Sequence, residues 1–252
     1  MTSTLLMDGY RQRLGVNTDA TPSRAALCEL VARHLQIVPF ENLDIVDHRL
    51  HELTTALVLH KVVIRRRGGF CYELNEAFGA LLTHLGYRVR RIEARVWLDA
   101  QKKFGAPFDH LALVVSLPEG EFLTDVGFGD NNRSPLRLPD DTVTDISGSY
   151  ALTQASDERW LLSRADRPLY EMTLDERPLS AFVPMHRHHQ SSPDSMFTKG
   201  LICTRATESG RITLSRDRLI IVNGGDRTER VAADRDRALE QYFGITKEDG
   251  AC

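Results

Sequence analysis

From residue 21 to residue 86 the apolar positions fall at helical steps. Thr21-Pro22-Ser23 reads as a helix start, and Leu27, Leu30, Val31, Leu35 and Ile37 then line one face. Pro39-Phe40-Glu41-Asn42 interrupts this pattern and opens an irregular segment. A second helical stretch, 54–64, runs into Arg65-Arg66-Arg67-Gly68-Gly69. From Cys71 the positions Leu74, Asn75, Phe78, Leu82 and Leu85 recur at steps of three and four, and Gly86 supplies a left-handed stop. The period then changes to two. In 91–97, Ile92, Ala94 and Val96 take one side and Arg91, Glu93 and Arg95 the other. Strands are expected over 110–117 and 121–127, joined by a Pro118-Glu119-Gly120 turn, and again over 150–162 and 169–174. The middle of the chain therefore reads as an antiparallel sheet or small barrel. Residues 179–197 read as irregular; short strands follow at 201–205, 211–214 and 218–222, with a last helix over 234–243 stopped by Gly244. No internal repeat or low-complexity tract is present.

A chain of 252 residues buries a substantial core as one large domain or two to three small ones. Its 32 basic and 35 acidic side chains give a net charge of −3 and are interleaved throughout, so no face is set aside for nucleic acid or membrane. Apolar runs such as 111–115 are far too short to span a bilayer. The first ten residues lack the basic-then-apolar order of a signal peptide. The four cysteines (Cys28, Cys71, Cys203, Cys252) are widely spaced without a CxxC, which argues against a disulfide framework and for a reducing cytoplasm.

Three residues carry candidate chemistry. A thiol on the first turn of a helix feels the positive end of the dipole, so Cys71 is placed where a thiolate is stabilised. The alternative is a small buried apolar residue, as expected for Cys28 on its helical face and for Cys203 in a strand; Cys252 is terminal and expected to be mobile. His110 opens an apolar strand and could serve as the base that a reactive cysteine needs, or be a half-exposed strand end. Asp125 lies in an apolar strand, costly unless paired, and the hairpin brings it near His110. Gly127 and Gly129 would let backbone approach a ligand closely, with Phe128 as an aromatic wall between them, although such a pair also suits an ordinary turn.

Arg67-Gly68-Gly69-x-Cys71-x-Glu73, His110-Leu111 and Asp125-Val126-Gly127-Phe128-Gly129 together resemble the arylamine N-acetyltransferase family. So do the segment Pro39-Phe40-Glu41-Asn42-Leu43 and the segment Ser191-Ser192-Pro193-Asp194-Ser195-Met196-Phe197, so the likeness runs through nearly the whole chain. It implies an α+β fold: an N-terminal helical bundle (1–86), a central antiparallel β-barrel (87–192) and a C-terminal α/β lid (193–252), with a triad arranged as in cysteine proteases. It maps the triad onto Cys71, His110 and Asp125, with the Cys71 backbone N–H as candidate oxyanion donor. It implies acetyl-CoA as acyl donor, a double displacement through acetyl-cysteine, and an arylamine, arylhydrazine or N-hydroxyarylamine acceptor. Phe128, Phe40, Gly127 and Gly129 fall to substrate binding, and Glu41 and Arg67 to a structural ion pair. No nucleic-acid or membrane partner and no metal is implied, and the assembly is a monomer or homodimer. The chain departs from the family at His186-Arg187-His188-His189-Gln190, expected as a solvated loop at the lid edge because no Cys or carboxylate lies at ligand spacing. It is also short after Phe243, near the acyl-donor cleft. Three other readings keep parts of this picture: an amide synthase with the same triad acting on a polyketide chain, a cysteine hydrolase with water as acceptor, and a non-catalytic binding protein. The intact Cys71, His110 and Asp125 argue against the last.

Overall fold

The computed structural model describes residues 3–16, 21–130 and 132–246; Cys252 lies outside them. Helix α1 (Ser3–Leu14) packs beside α2 (Arg24–Ile37). Ser23 caps α2 by accepting from the Ala26 N–H at 3.3 Å, and Leu27, Leu30, Val31, His34 and Leu35 form its buried stripe. Cys28 was expected on that stripe and is only partly buried, because its position follows Leu27 by one residue and so turns off the face.

A two-residue strand, β1 (Phe40–Glu41), and a short helix, α3 (Leu43–Val46), follow. Helix α4 (Thr55–Leu59) is capped by Thr54 and passes without a break into a wider π turn, His60–Ile64. Arg13 of α1 holds this turn and the loop after it: its guanidinium donates to the carbonyls of Val62, of Arg67 at 2.7 Å and of Arg66 at 2.8 Å. Helix α5 (Cys71–His84) then runs through the interior with most of its circumference buried.

The central sheet comprises β2 (Arg88–Leu98), β3 (Lys103–Phe104), β4 (His110–Leu117), β5 (Gly120–Thr124), β6 (Leu136–Arg137), β7 (Asp141–Asp145), β8 (Gly148–Ser156), β9 (Arg159–Arg164) and β10 (Arg167–Met172). Its order is β6-β5-β4-β2-β10-β9-β8-β7, all pairs antiparallel, with β3 on β2. The end strands β6 and β7 lie side by side, so the sheet curls into a nearly closed barrel. One face fills it with Ile92, Ala112, Val114, Leu123, Leu162 and Tyr170. The other face of β4 presents Leu111, Leu113 and Val115 to the α5 core, so this strand is buried on both sides and reads as a continuous apolar run. The expected single strand over 150–162 is two strands, β8 and β9, turned at Asp157-Glu158, where polarity rather than a glycine or proline marks the hairpin.

The expected irregular stretch 179–197 is mostly helical. A 3-10 turn, Leu179–Phe182, leads into α6 (Val183–Ser191), and a second 3-10 turn spans Met196–Thr198. Pro184 falls in the first turn of α6, where a missing N–H costs nothing, so it starts the helix rather than breaking it. The histidine-rich tract is therefore no solvated loop: His186, His189 and Gln190 are buried. Last come β11 (Ile202–Thr207), β12 (Gly210–Ser215), β13 (Arg218–Asn223), β14 (Asp226–Val231) and α7 (Arg235–Phe243). They form a second sheet, ordered β1-β11-β12-β13-β14, whose core holds Cys203, Leu214, Leu219, Leu239 and Phe243. Asp234 caps α7 and Gly244, at φ 66°, ends it. Strand β14 escaped the sequence reading because all its residues are exposed and no alternation marks it. Among the described residues no helix is long and apolar enough to cross a membrane.

Candidate active site

The start of α5 is held by glycine contacts and by buried charge. A Cβ on Gly68 would lie 1.8 Å from the Pro39 carbonyl oxygen, so only glycine lets the loop before Cys71 cross that backbone. The Glu41 N–H donates to the Gly69 carbonyl at 2.8 Å, fixing the crossing. Beneath it lie three carboxylates and two cations. The Arg67 guanidinium donates to Glu41 Oε1 at 2.8 Å and reaches Asp44 at 3.3 Å. Lys61 Nζ lies 2.7 Å from Asp44 and 2.8 Å from Glu73. Glu73 also accepts from the Phe70 N–H at 3.0 Å and pairs with His51 Nε2 at 2.7 Å. Burial pushes the Glu73 carboxyl up, but Lys61 and the His51 hydrogen bond outweigh it and hold the group well below the usual range. His51 moves the other way: burial lowers it, and Glu73 lifts it above its ordinary value. A protonated His51 brings this cluster to charge balance.

Cys71, His110 and Asp125 meet above this base. Residue Ala94 of β2 pairs with His110, and Leu113 with Thr124, which brings the end of β5 alongside the start of β4. Strand β5 stops at Thr124, so Asp125 sits just beyond it rather than within it. His110 Nε2 lies 2.8 Å from Asp125 Oδ2, and the imidazole is close enough to the Cys71 thiol for its charge to favour the thiolate. All three side chains are buried. Burial lowers the His110 imidazole, yet the charge and hydrogen bond of Asp125, with Cys71 added, lift it to about 10. Asp125 is raised by burial and brought below its ordinary value by His110, the Asn75 amide and the Gly127 N–H. Burial pushes the Cys71 thiol up, and His110 opposes this without reversing it. The arrangement can therefore keep a proton on His110 at neutral pH and pass it to and from groups at the sulfur.

Two residues here carry no chemical signal in the sequence. Asn75 reads as one more position on the apolar stripe of α5, yet its Nδ2 donates to the Leu111 carbonyl at 2.6 Å and to Asp125 Oδ1 at 2.8 Å. Its Oδ1 accepts from the Val126 N–H at 3.0 Å. An amide on an apolar face was the available clue. Tyr170, from β10, donates to Asp125 Oδ2 at 3.0 Å. Every oxygen of the Asp125 carboxylate is thus engaged, which fixes its orientation toward His110.

The remaining expected residues group in two ways. Gly127 packs against α5 rather than facing open space: a Cβ there would meet the Cys71 Cα at 2.8 Å and the Asn75 amide at 2.6 Å. Phe128 stands edge-on to His110, with ring centroids 5.5 Å apart, and Gly129, at φ 85°, brings backbone onto the Phe40 ring. Phe40, Phe128 and Gly129 therefore share a wall next to Cys71. Among the described residues no group of three or more His, Cys, Asp or Glu side chains is arranged to hold a metal; His186 stacks on Phe70 and His189 lies tilted against Tyr72.

Comparisons with known proteins agree in one direction. The model of a family described as N-acetyltransferase matches residues 24–250. The arylamine N-acetyltransferase of Mycolicibacterium smegmatis is 33% identical over 95% of this chain and 91% of its own length. The solved structure of the M. tuberculosis arylamine N-acetyltransferase superposes with a TM-score of 0.89 at 32% identity, covering 98% of this chain and 96% of that one. A Bacillus cereus arylamine N-acetyltransferase, described as having a unique Cys-His-Glu catalytic triad, superposes with a TM-score of 0.90 at 25% identity, covering 98% and 100% of the two chains.

Proposed function

This chain belongs to the arylamine N-acetyltransferase family of acyltransferases, and from that membership we propose that Cys71 carries an acetyl group from acetyl-CoA to an arylamine, arylhydrazine or N-hydroxyarylamine. The observation that carries the reading is the buried grouping of Cys71, His110 and Asp125, with the Asp125 carboxylate 2.8 Å from the ring. The Bacillus cereus relative is described with glutamate as its third member, whereas this chain places an aspartate there.

In the first half-reaction the Cys71 thiolate attacks the thioester carbonyl, with its proton held on His110. The tetrahedral oxyanion is met by the Cys71 backbone N–H at the start of α5. As the C–S bond to CoA breaks, the imidazolium returns its proton to the departing CoA thiolate. In the second half-reaction the amine nitrogen attacks the acetyl-cysteine and His110, now neutral, takes the N–H proton. The C–S bond to Cys71 breaks, and the thiolate and imidazolium are restored with the amide released. Asp125, held by Asn75 and Tyr170, keeps the ring in the tautomer that presents its other nitrogen to sulfur. Cavities of about 150 and 390 Å³ lie away from this centre, and none of the three residues lines either of them. The aryl group is expected against Phe40, Phe128 and Gly129. Glu41 and Arg67 act as structural supports of the loop.

Intact-protein mass spectrometry after incubation with acetyl-CoA alone tests the reading. A single acetyl adduct on Cys71, discharged by added arylamine and absent in Cys71→Ser, is the expected result. A protein that takes no acetyl group while iodoacetamide still alkylates Cys71 quickly would transfer the assignment to the amide synthase reading.

A further inference from the structure

A partly buried ion pair lies beside the reacting residues and has no part in the scheme above. His189 of α6 places Nε2 3.0 Å from Oδ1 of Asp109, the residue directly before His110. Its Nδ1 lies 3.2 Å from Ser195 Oγ. That hydroxyl has one proton, which it donates to the His189 carbonyl at 3.1 Å, and it accepts from the Phe197 N–H at 3.1 Å. Nε2 can bond a carboxylate only as a donor, and with the Ser195 proton on the His189 carbonyl Nδ1 bonds Ser195 as a donor too, the pattern of an imidazolium.

The pair is joined to the start of α5. The Tyr72 hydroxyl donates to the backbone carbonyls of Phe108 at 2.8 Å and Asp109 at 3.1 Å, and the Tyr72 ring lies 6.1 Å from that of His189. The titratable groups facing the pair are Tyr72 from α5, His186 and His188 from its own helix, and Cys71 with His110 at the reacting centre. Burial is the main force pushing the Cys71 thiol and the Tyr72 hydroxyl up, and the negative charge of Asp109 adds to it at both.

We propose that His189 is a positioning residue for the Cys71 thiolate, an imidazolium that neutralises Asp109 and ties its carboxylate to α6, so that sulfur can carry negative charge beside His110 without an opposing carboxylate. The proposal rests on the reading of Cys71 as the nucleophile. It also gives α6 a role in the chemistry that its place at the edge of the site does not suggest.

The pH dependence of Cys71 alkylation by iodoacetamide, followed by mass in the full-length protein, reports the thiolate without any acyl donor. His189→Gln keeps a hydrogen-bond donor but removes the charge, and is expected to raise the midpoint of that profile by about one pH unit, slowing alkylation at neutral pH about tenfold. The double variant Asp109→Asn/His189→Gln removes the charge together with its neutraliser and is expected to return the midpoint to that of the unmodified protein. Asp109→Asn alone is expected at or below that midpoint. An unmoved midpoint in His189→Gln, equal shifts in the single and double variants, or a raised midpoint in Asp109→Asn would each overturn the proposal and leave His189 as a packing residue. If the shifts occur but acetyl-CoA leaves no adduct on Cys71, the acetyl-transfer reading fails and the role of His189 stands.

Discussion

Asn75 joins three separate pieces of chain through one amide: α5, the Leu111 peptide and the turn at Asp125-Val126. Removing it leaves the buried Val126 N–H without its partner, at about 1–3 kcal/mol, and takes one donor each from the Leu111 carbonyl and from Asp125 Oδ1, which keeps the Gly127 N–H. Asn75→Ala is therefore expected to lower thermal stability and to slow Cys71 acylation about a hundredfold, measured by single-turnover mass spectrometry. Asp125→Asn is expected to leave circular dichroism unchanged while slowing acylation by about three to four orders of magnitude, because the amide no longer dictates the ring tautomer. A mild loss would make Asp125 a structural residue. Cys71, His110 and Asp125 could be read from the sequence because each sits in a short motif whose chemistry is unusual for its local pattern. Asn75 and Tyr170 could not, because each occupies a position where the helical or strand period calls for a core residue and their polar atoms turn to partners far away in sequence.

At the scale of elements, the loop from Arg65 to Phe70 is positioned by neighbours rather than by its own hydrogen bonds. Arg67 is 1% exposed and meets Glu41 and Asp44. Replacing it by Leu leaves two buried carboxylates short of a cation, a loss of about 3–5 kcal/mol. Arg67→Leu is expected to fall below the wild-type melting temperature by several degrees or more, read by differential scanning calorimetry, and to lose activity with it. The pairing of Glu41 with Arg67 followed from a likeness between motifs, whereas Asp44, Lys61, His51 and Glu73 join the same cluster without a local signal, since charged residues on a helical pattern ordinarily face solvent. Helix α6 was missed for a related reason. Its three histidines and its proline look polar and irregular in sequence, and only the stacking of His186 on Phe70 and the seat of His189 against Asp109 make that face a buried one.

Over the whole molecule, buried histidines set a pH window for stability. His34 is enclosed by α1 and α5, bonded to Tyr10 at 2.9 Å and edge-on to Phe78, and burial with the nearby Arg13 charge lowers it to about 3. His186 is lowered to about 4, chiefly by burial. Both are below the unfolded value near 6.5, so the stability they contribute is complete above that pH and is lost as pH falls through 6.5 toward the folded values. His110, raised to about 10, has the opposite sign: its contribution is complete below pH 6.5 and is lost as pH rises toward 10. Stability is therefore expected to peak near pH 6.5, and lowering the pH from 7 to 5 should remove roughly 3 kcal/mol from the two buried rings together. Thermal melts across pH 4–10 check this, and His34→Leu should flatten the acid limb. An acid limb unchanged in His34→Leu would remove that ring from the account. The general architecture, helices then barrel then a second sheet with a closing helix, was legible because the apolar period changes from helical to alternating at Gly86. The way the parts interlock was not, because it depends on contacts between residues more than a hundred positions apart.

One such contact bears on how the chain comes to be folded. The strand β1 joins the second sheet through β11, and the Asn42 side chain donates to the carbonyls of Phe197 and Gly200 while accepting from the Ile202 N–H. The same short segment carries the Pro39 and Glu41 backbone on which the cysteine loop rests. A chain emerging from a ribosome makes its amino-terminal portions first, yet the support of this loop is complete only once residues 197–204 have joined β1 and Asn42. The seat of Cys71 is thus finished by a segment made long after it, and a chain cut short before β11 is expected to hold that loop less firmly.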